Sequence, residues 1–190
     1  TAFLQGVETS REVYVKAPID GLPACGKLPA LRGSETFRLL KAPYGLAEAP
    51  RLWYLKFREV LLANGLVELK GFPAVFVWGK NLAGSSTDIE VIKKGKVDLI
   101  CFLHVDDGLV LWNPRSRGKQ HLEAVLHKHF QVKWEPLDRG GASVKYLGIE
   151  LSRLQDGSFT LSQHKYGKTL MEDLEKIEHP RKRINETPTA

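Results

Sequence analysis

Asp106 and Asp107 are adjacent carboxylates between two mostly apolar runs, Cys101-Phe102-Leu103-His104-Val105 and Leu109-Val110-Leu111-Trp112. At about 4 Å and an effective dielectric near 20, two full negative charges repel by roughly 4 kcal/mol. A divalent cation reverses that sign. Carboxylates are the hard oxygen ligands that Mg²⁺ takes when it is held against substrate phosphates. The same residues also read as an ordinary turn, because Asp-Gly is a common hairpin tip and a second Asp is unexceptional in solvent. Taken alone, the local pattern favours the plain turn.

A pair of acids does chemistry only where secondary structure aims it. The flanking apolar runs predict a β-hairpin with Asp106-Asp107-Gly108 at its turn. Strands are further expected at 11–16, 35–40, 74–78, 131–135 and 144–153, with a short one at 89–92 inside a Gly/Ser/Lys-rich loop. Residues 17–34, rich in Pro and Gly, read as irregular loop. A helix is expected from near Glu48. It has Pro50 in its first turn, Leu52, Trp53, Phe57, Val60 and Leu61 at helical spacing, and Gly65 as its stop. A second helix is expected from Lys119 to Phe130, with Leu122, Val125, Leu126 and Phe130 on one side. Asp156-Gly157 turns into Phe159-Thr160-Leu161, and Ser162 can cap a last helix carrying Tyr166, Leu170, Leu174 and Ile177. This order suits an α+β domain with helices on one face of an antiparallel sheet, compatible with a split βαβ arrangement.

Length and composition fit a globular chain with one sizeable core or two small ones: 190 residues, 43% hydrophobic and 26% charged. No apolar run approaches the roughly 20 residues that cross a bilayer, and no secretory leader pattern opens the chain. The start at Thr1 rather than Met suggests a piece of a longer polypeptide. A net charge of +6 fits a polyanionic partner without requiring one. Its basic clusters are 93–96, 115–119 and 181–183, each of which also reads as a solvated loop or tail. Cys25 and Cys101 make no disulfide framework, and Cys101 reads as a small core residue. His127 and His129 lie two apart on a predicted helix and point to different faces, and no Cys/His spacing suits zinc.

Several blocks, in order along nearly the whole chain, resemble the reverse transcriptase of copia-type LTR retrotransposons. Thr1-Ala2-Phe3-Leu4-Gln5-Gly6 is similar to the segment just after that family's first catalytic Asp, and Glu12-Val13-Tyr14-Val15 with Pro18 to its next block. Lys41 to Tyr54, reading KAPYGLAEAPRLWY, resembles "LYGLKQAPRAWY", and Phe72 to Val77 resembles "DPSLFV". His104-Val105-Asp106-Asp107 stands where the family has "YVDD". Lys145 to Leu151 resembles "FLGIEV", Leu161 to Tyr166 resembles "LSQ-K-Y", and Glu186-Thr187-Pro188 matches a Thr-Pro beyond the last helix.

The resemblance implies a polymerase palm with partial fingers over residues 1–153. A primer-grip and thumb-proximal hairpin and helix would follow at 154–178, and a loose basic tail at 179–190. It implies an RNA-directed DNA polymerase that adds deoxynucleotides to a primer through two Mg²⁺ ions, with Mn²⁺ as a substitute ion. Asp106 would be the direct metal ligand, with Asp107 as its partner, acting partly through outer-shell contacts. Phe3, Tyr44 and Gly45 would meet the incoming nucleotide, and Tyr146, Leu147 and Gly148 the primer end. Each of these also has a plain structural reading: a core Phe, a Pro-Tyr-Gly turn, a buried strand with a packing Gly. Arg51 and Tyr54 stay open between nucleic-acid contact and packing, and Trp53 reads as helix packing. Implied partners are an RNA or DNA template with primer, deoxynucleotide triphosphates, and flanking integrase and ribonuclease H regions in a parent polyprotein. No membrane is implied. Localisation would be cytoplasmic, within a virus-like particle of the parent element, or nuclear.

Two departures stand out. The family's first Asp lies three positions before the residue equivalent to Thr1, so this chain alone is expected not to polymerise at a useful rate. His104 replaces Tyr. Beside two carboxylates it reads as a residue that could affect metal binding; the alternative, favoured by the local sequence, is a structural substitution of little consequence. Two competing functions remain: a catalytically dead remnant that at most binds nucleic acid, and a two-metal nuclease, for which no additional acidic cluster is seen.

Overall fold

In the computed structural model, residues 2–26, 29–82, 84, 86–94 and 96–176 are described. A 3₁₀ turn, Ala2–Gln5, is followed by β1 (Glu8–Lys16), β2 (Thr36–Lys41), α1 (Ala49–Ala63), β3 (Val67–Leu69), β4 (Val75–Gly79), β5 (Ser86–Thr87) and α2 (Glu90–Lys93). Then come β6 (Val97–His104), β7 (Asp107–Trp112), α3 (Gly118–His129), β8 (Ser143–Tyr146), β9 (Ile149–Arg153), β10 (Phe159–Ser162) and α4 (His164–Lys176). Contacts divide the chain into two units, Thr1–Lys133 and Trp134–Ala190. The basic run at 181–183, the Thr-Pro at 187–188 and the tail at 179–190 lie outside the described residues.

In the first unit β1 and β2 form an antiparallel ribbon, and a five-stranded sheet runs in the order β5-β3-β4-β6-β7. Its pairs are antiparallel except β3–β5. Successive strand side chains leave on opposite faces, and this sheet buries both. Phe76, Leu99 and Cys101 are buried. Phe76 meets Phe57 of α1 edge-on at 5.9 Å. Val75, Val77 and Ile100, which alternate with them, and Val97, beyond a register shift opposite Trp78–Gly79, join Val67, Leu69, Val91 and Ile92 in a second cluster. Burial pushes the Cys101 thiol up to about 12, so it stays protonated as a small core residue.

Helix α1 follows its sequence signals. Pro50 sits in the first turn, where its missing N–H costs nothing. After Ala63, Gly65 N–H donates to the Leu62 carbonyl and Leu66 N–H to the Leu61 carbonyl, with Gly65 at φ +81. That is a Schellman end.

Three expected strands differ. Residues 89–92 form the single turn α2, with Lys93 pairing Glu90 at 2.7 Å, because Val91 and Ile92 both pack into the second cluster. Residues 131–135 form no strand. The Gln131 N–H donates to the Gln5 side chain at 2.7 Å instead of to a neighbouring strand. The stretch 144–153 is two strands, β8 and β9, broken at Leu147-Gly148. In the second unit β10, β9 and β8 form one antiparallel sheet. There β9 and β10 pair on either side of the 154–158 turn, so both strands lie in the unit that begins at Trp134.

One buried charge braces the first unit. Glu68, 8% exposed, accepts from the Tyr54 hydroxyl at 2.5 Å, Arg58 Nε at 2.6 Å and the Ala74 N–H at 3.0 Å. Tyr54, left open above, thus has a structural partner. Burial alone would push the Glu68 carboxyl up, but these three hydrogen bonds outweigh it and hold it below the usual carboxylate range. A depressed folded-state value stabilises the fold above the unfolded pKa of about 4.3, and that share is lost as pH falls through the folded value. Glu68→Gln is therefore expected to cost about 2 kcal/mol at neutral pH. Denaturant unfolding of both proteins should show that gap narrowing at about pH 3, below the carboxyl range. A gap unchanged by acid contradicts the ionised brace.

Candidate active site

The hairpin turn lies one residue earlier than Asp106-Asp107-Gly108. His104 pairs with Asp107 and Leu103 with Gly108, so Val105 and Asp106 form the two-residue tip and Asp107 begins β7. Val105 has φ +55, a left-handed backbone that a β-branched residue adopts at a cost of about 1–2 kcal/mol. Trp53 of α1 compensates: its indole N–H donates to the Val105 carbonyl at 2.5 Å. Trp53 is itself fixed, 5% exposed, against Phe57 at 5.6 Å and Phe130 at 5.1 Å. Helix packing is therefore only half of its role, and nothing in the local sequence signals the contact with the turn.

The carboxylates of Asp106 and Asp107 are exposed at this tip. Asp106 Oδ2 accepts a hydrogen bond from the Tyr44 hydroxyl at 2.7 Å. Tyr44 comes from the turn before α1, where Gly45 takes φ +97 with nothing within 4 Å of where a Cβ would sit. The Tyr44 ring lies 4.2 Å from the Phe3 ring, tilted by 44°. Phe3 is buried in the first 3₁₀ turn. Three segments far apart in sequence thus converge, placing Phe3, Tyr44 and Asp106 in one chain of contacts. The Tyr44 hydroxyl is pushed up, first by its hydrogen bond to Asp106, then by partial desolvation, then by the negative charges of Asp106 and Asp107. It therefore stays protonated and donates.

Two hard carboxylates at an exposed tip suit a cation such as Mg²⁺. Among the described residues no group of three or more His, Cys, Asp or Glu side chains is placed to hold a metal. The pair therefore offers a partial coordination sphere, which waters or substrate oxygens would complete. His104 is exposed at the end of β6, opposite Asp107.

Tyr146, Leu147 and Gly148 lie in the second unit. Leu147 and Gly148 are the two tip residues of the β8–β9 hairpin, at φ +49 and +80, the twist-matched turn with both central residues left-handed. Leu147 is 44% exposed. Gly148 has no atom within 4 Å of where a Cβ would lie, so it serves the turn rather than close packing. Nearby, Glu150 accepts from Lys165 at 2.7 Å and from Ser143 at 3.0 Å, which hold its carboxyl below the usual range.

The chain is similar to retrovirus-related Pol polyproteins of plant transposons. Identity is 34% over 165 residues with that of transposon RE2 and 32% over 166 residues with that of transposon RE1, both from Arabidopsis thaliana. It is 28% over 173 residues with that of transposon TNT 1-94 from Nicotiana tabacum. These matches take in 87–90% of this chain and 9–11% of each relative, so the chain spans about a tenth of the polyproteins it matches. No family model and no solved structure matches. Its homologues are therefore transposon Pol polyproteins, and it corresponds to one stretch of them. Among the described residues no helix is long and apolar enough to cross a membrane.

Proposed function

We propose that this chain is a palm portion, with part of the fingers, of a copia-type reverse transcriptase, the RNA-directed DNA polymerase of a retrotransposon polyprotein. The observation that carries this is the convergence at the β6–β7 tip. Phe3, Tyr44 and Asp106 belong to three separate blocks that resemble the family, and they form one chain of contacts, Phe3 to Tyr44 and Tyr44 to Asp106. Asp106 and Asp107 would hold Mg²⁺, which supplies charge stabilisation to an in-line phosphoryl displacement when bound. The chain's own residues position the reaction. Trp53 fixes the turn, the Tyr44 hydroxyl contacts the Asp106 carboxylate, and the Phe3–Tyr44 pair with Gly45 forms the surface beside it for a nucleotide. In the second unit the Tyr146-Leu147-Gly148 tip is the primer-contacting element. The net charge of +6 suits a nucleic-acid partner.

The test is an exchange. The matching segment of the RE2 polyprotein is replaced by this chain, and extension of a primer on RNA and on DNA templates is measured. Mg²⁺-dependent synthesis is expected. Template binding with a steep salt dependence but no synthesis would assign the chain to a catalytically dead remnant instead.

A further inference from the structure

We propose that Tyr44 is a latch on the cation site: its hydrogen bond to Asp106 Oδ2 occupies a carboxylate lone pair that a divalent cation would take, so the two compete. The inference rests on the assignment of Asp106 as a cation-facing carboxylate and adds a residue that opposes the cation. The contact is direct, 2.7 Å from hydroxyl to carboxylate oxygen.

The two ends of the contact differ in freedom. Asp106 stands on a turn whose backbone is pinned by Trp53. Tyr44 is 56% exposed, held by the Phe3 ring at its side and by Asp106 at its tip. Gly45, next in the chain, has nothing within 4 Å of where a Cβ would sit and a left-handed φ of +97. The tyrosine is thus the end that can leave, and the carboxylate stays in place when it does. A ligand that takes up the Tyr44 ring would release Asp106 to the cation. Cation binding and occupation of the nucleotide-facing surface would then favour each other reciprocally.

Mn²⁺ alone is the probe, titrated into the full chain and followed by the electron paramagnetic resonance signal of the free ion. Four proteins are compared: wild type, Tyr44→Phe, Asp106→Asn and the double variant. Tyr44→Phe keeps the ring on Phe3 and removes only the hydroxyl, so circular dichroism should be unchanged. Its Mn²⁺ affinity is expected to rise about fivefold, the equivalent of one exposed hydrogen bond. In the Asp106→Asn background the same change should have no effect, since the competition is then gone. Equal or weaker binding by Tyr44→Phe, with Asp106→Asn still impaired, overturns the latch and leaves the cation site standing. No loss on Asp106→Asn overturns both.

Discussion

Phe57→Ala is expected to destabilise the first unit by about 3–5 kcal/mol, the usual range for removing a buried aromatic ring. Phe57 is 4% exposed and sits among Trp53, Phe76 and Phe130 at centroid separations of 5.6, 5.9 and 5.7 Å. It joins α1, the central strand β4 and the end of α3 at one point, so no single element can collapse into the void. The loss should reach the hairpin tip as well. Trp53 leans on Phe57 and holds the Val105 carbonyl, and a loosened Trp53 leaves the left-handed Val105 without its compensating hydrogen bond. Denaturant unfolding with near-ultraviolet circular dichroism reads both effects. A loss below about 1 kcal/mol would fit a surface aromatic rather than a fully buried one and would contradict this packing.

In the exchanged polyprotein, Asp106→Asn is expected to lower primer extension by at least about 100-fold, the scale of losing one preorganised electrostatic group. Asp107→Asn should cost less, roughly tenfold, the scale of an outer-shell partner. The asymmetry follows from placement. Asp106 occupies the turn itself and touches Tyr44, whereas Asp107 opens β7 and pairs across to His104. Steady-state extension with each variant, at saturating primer and template, measures the ratio. Equal activity of Asp106→Asn and wild type would remove the pair from the chemistry.

Much of the fold around the site was legible. Pro50 and Gly65 mark the ends of α1 because proline and glycine act through backbone geometry that any context shares. The apolar runs on either side of the acidic pair mark the two strands of the hairpin. The position of its turn was not legible. Asp-Gly is the stronger local turn signal, but here the register puts Val105 and Asp106 at the tip, with a tryptophan from another element pinning the Val105 carbonyl. Leu147-Gly148 hid in the same way, inside an apolar run with a leucine at positive φ. Val91 and Ile92 read as strand from their composition, yet they form one helical turn because the cluster beneath them takes both. The Tyr44–Asp106 bond spans 62 residues. No spacing rule reaches that far, and only the family-like order of the blocks placed the two residues in one site.

The central claim is that the acid pair at the β6–β7 tip receives a divalent cation. Nuclear magnetic resonance of the full chain, with amide signals followed as Mn²⁺ is added, tests it most directly. The account predicts that paramagnetic broadening begins at His104 to Gly108 and at Tyr44 and Gly45, and that Asp106→Asn abolishes it there. Broadening that starts elsewhere in the chain, or that survives unchanged at the tip of the Asp106→Asn variant, would contradict it.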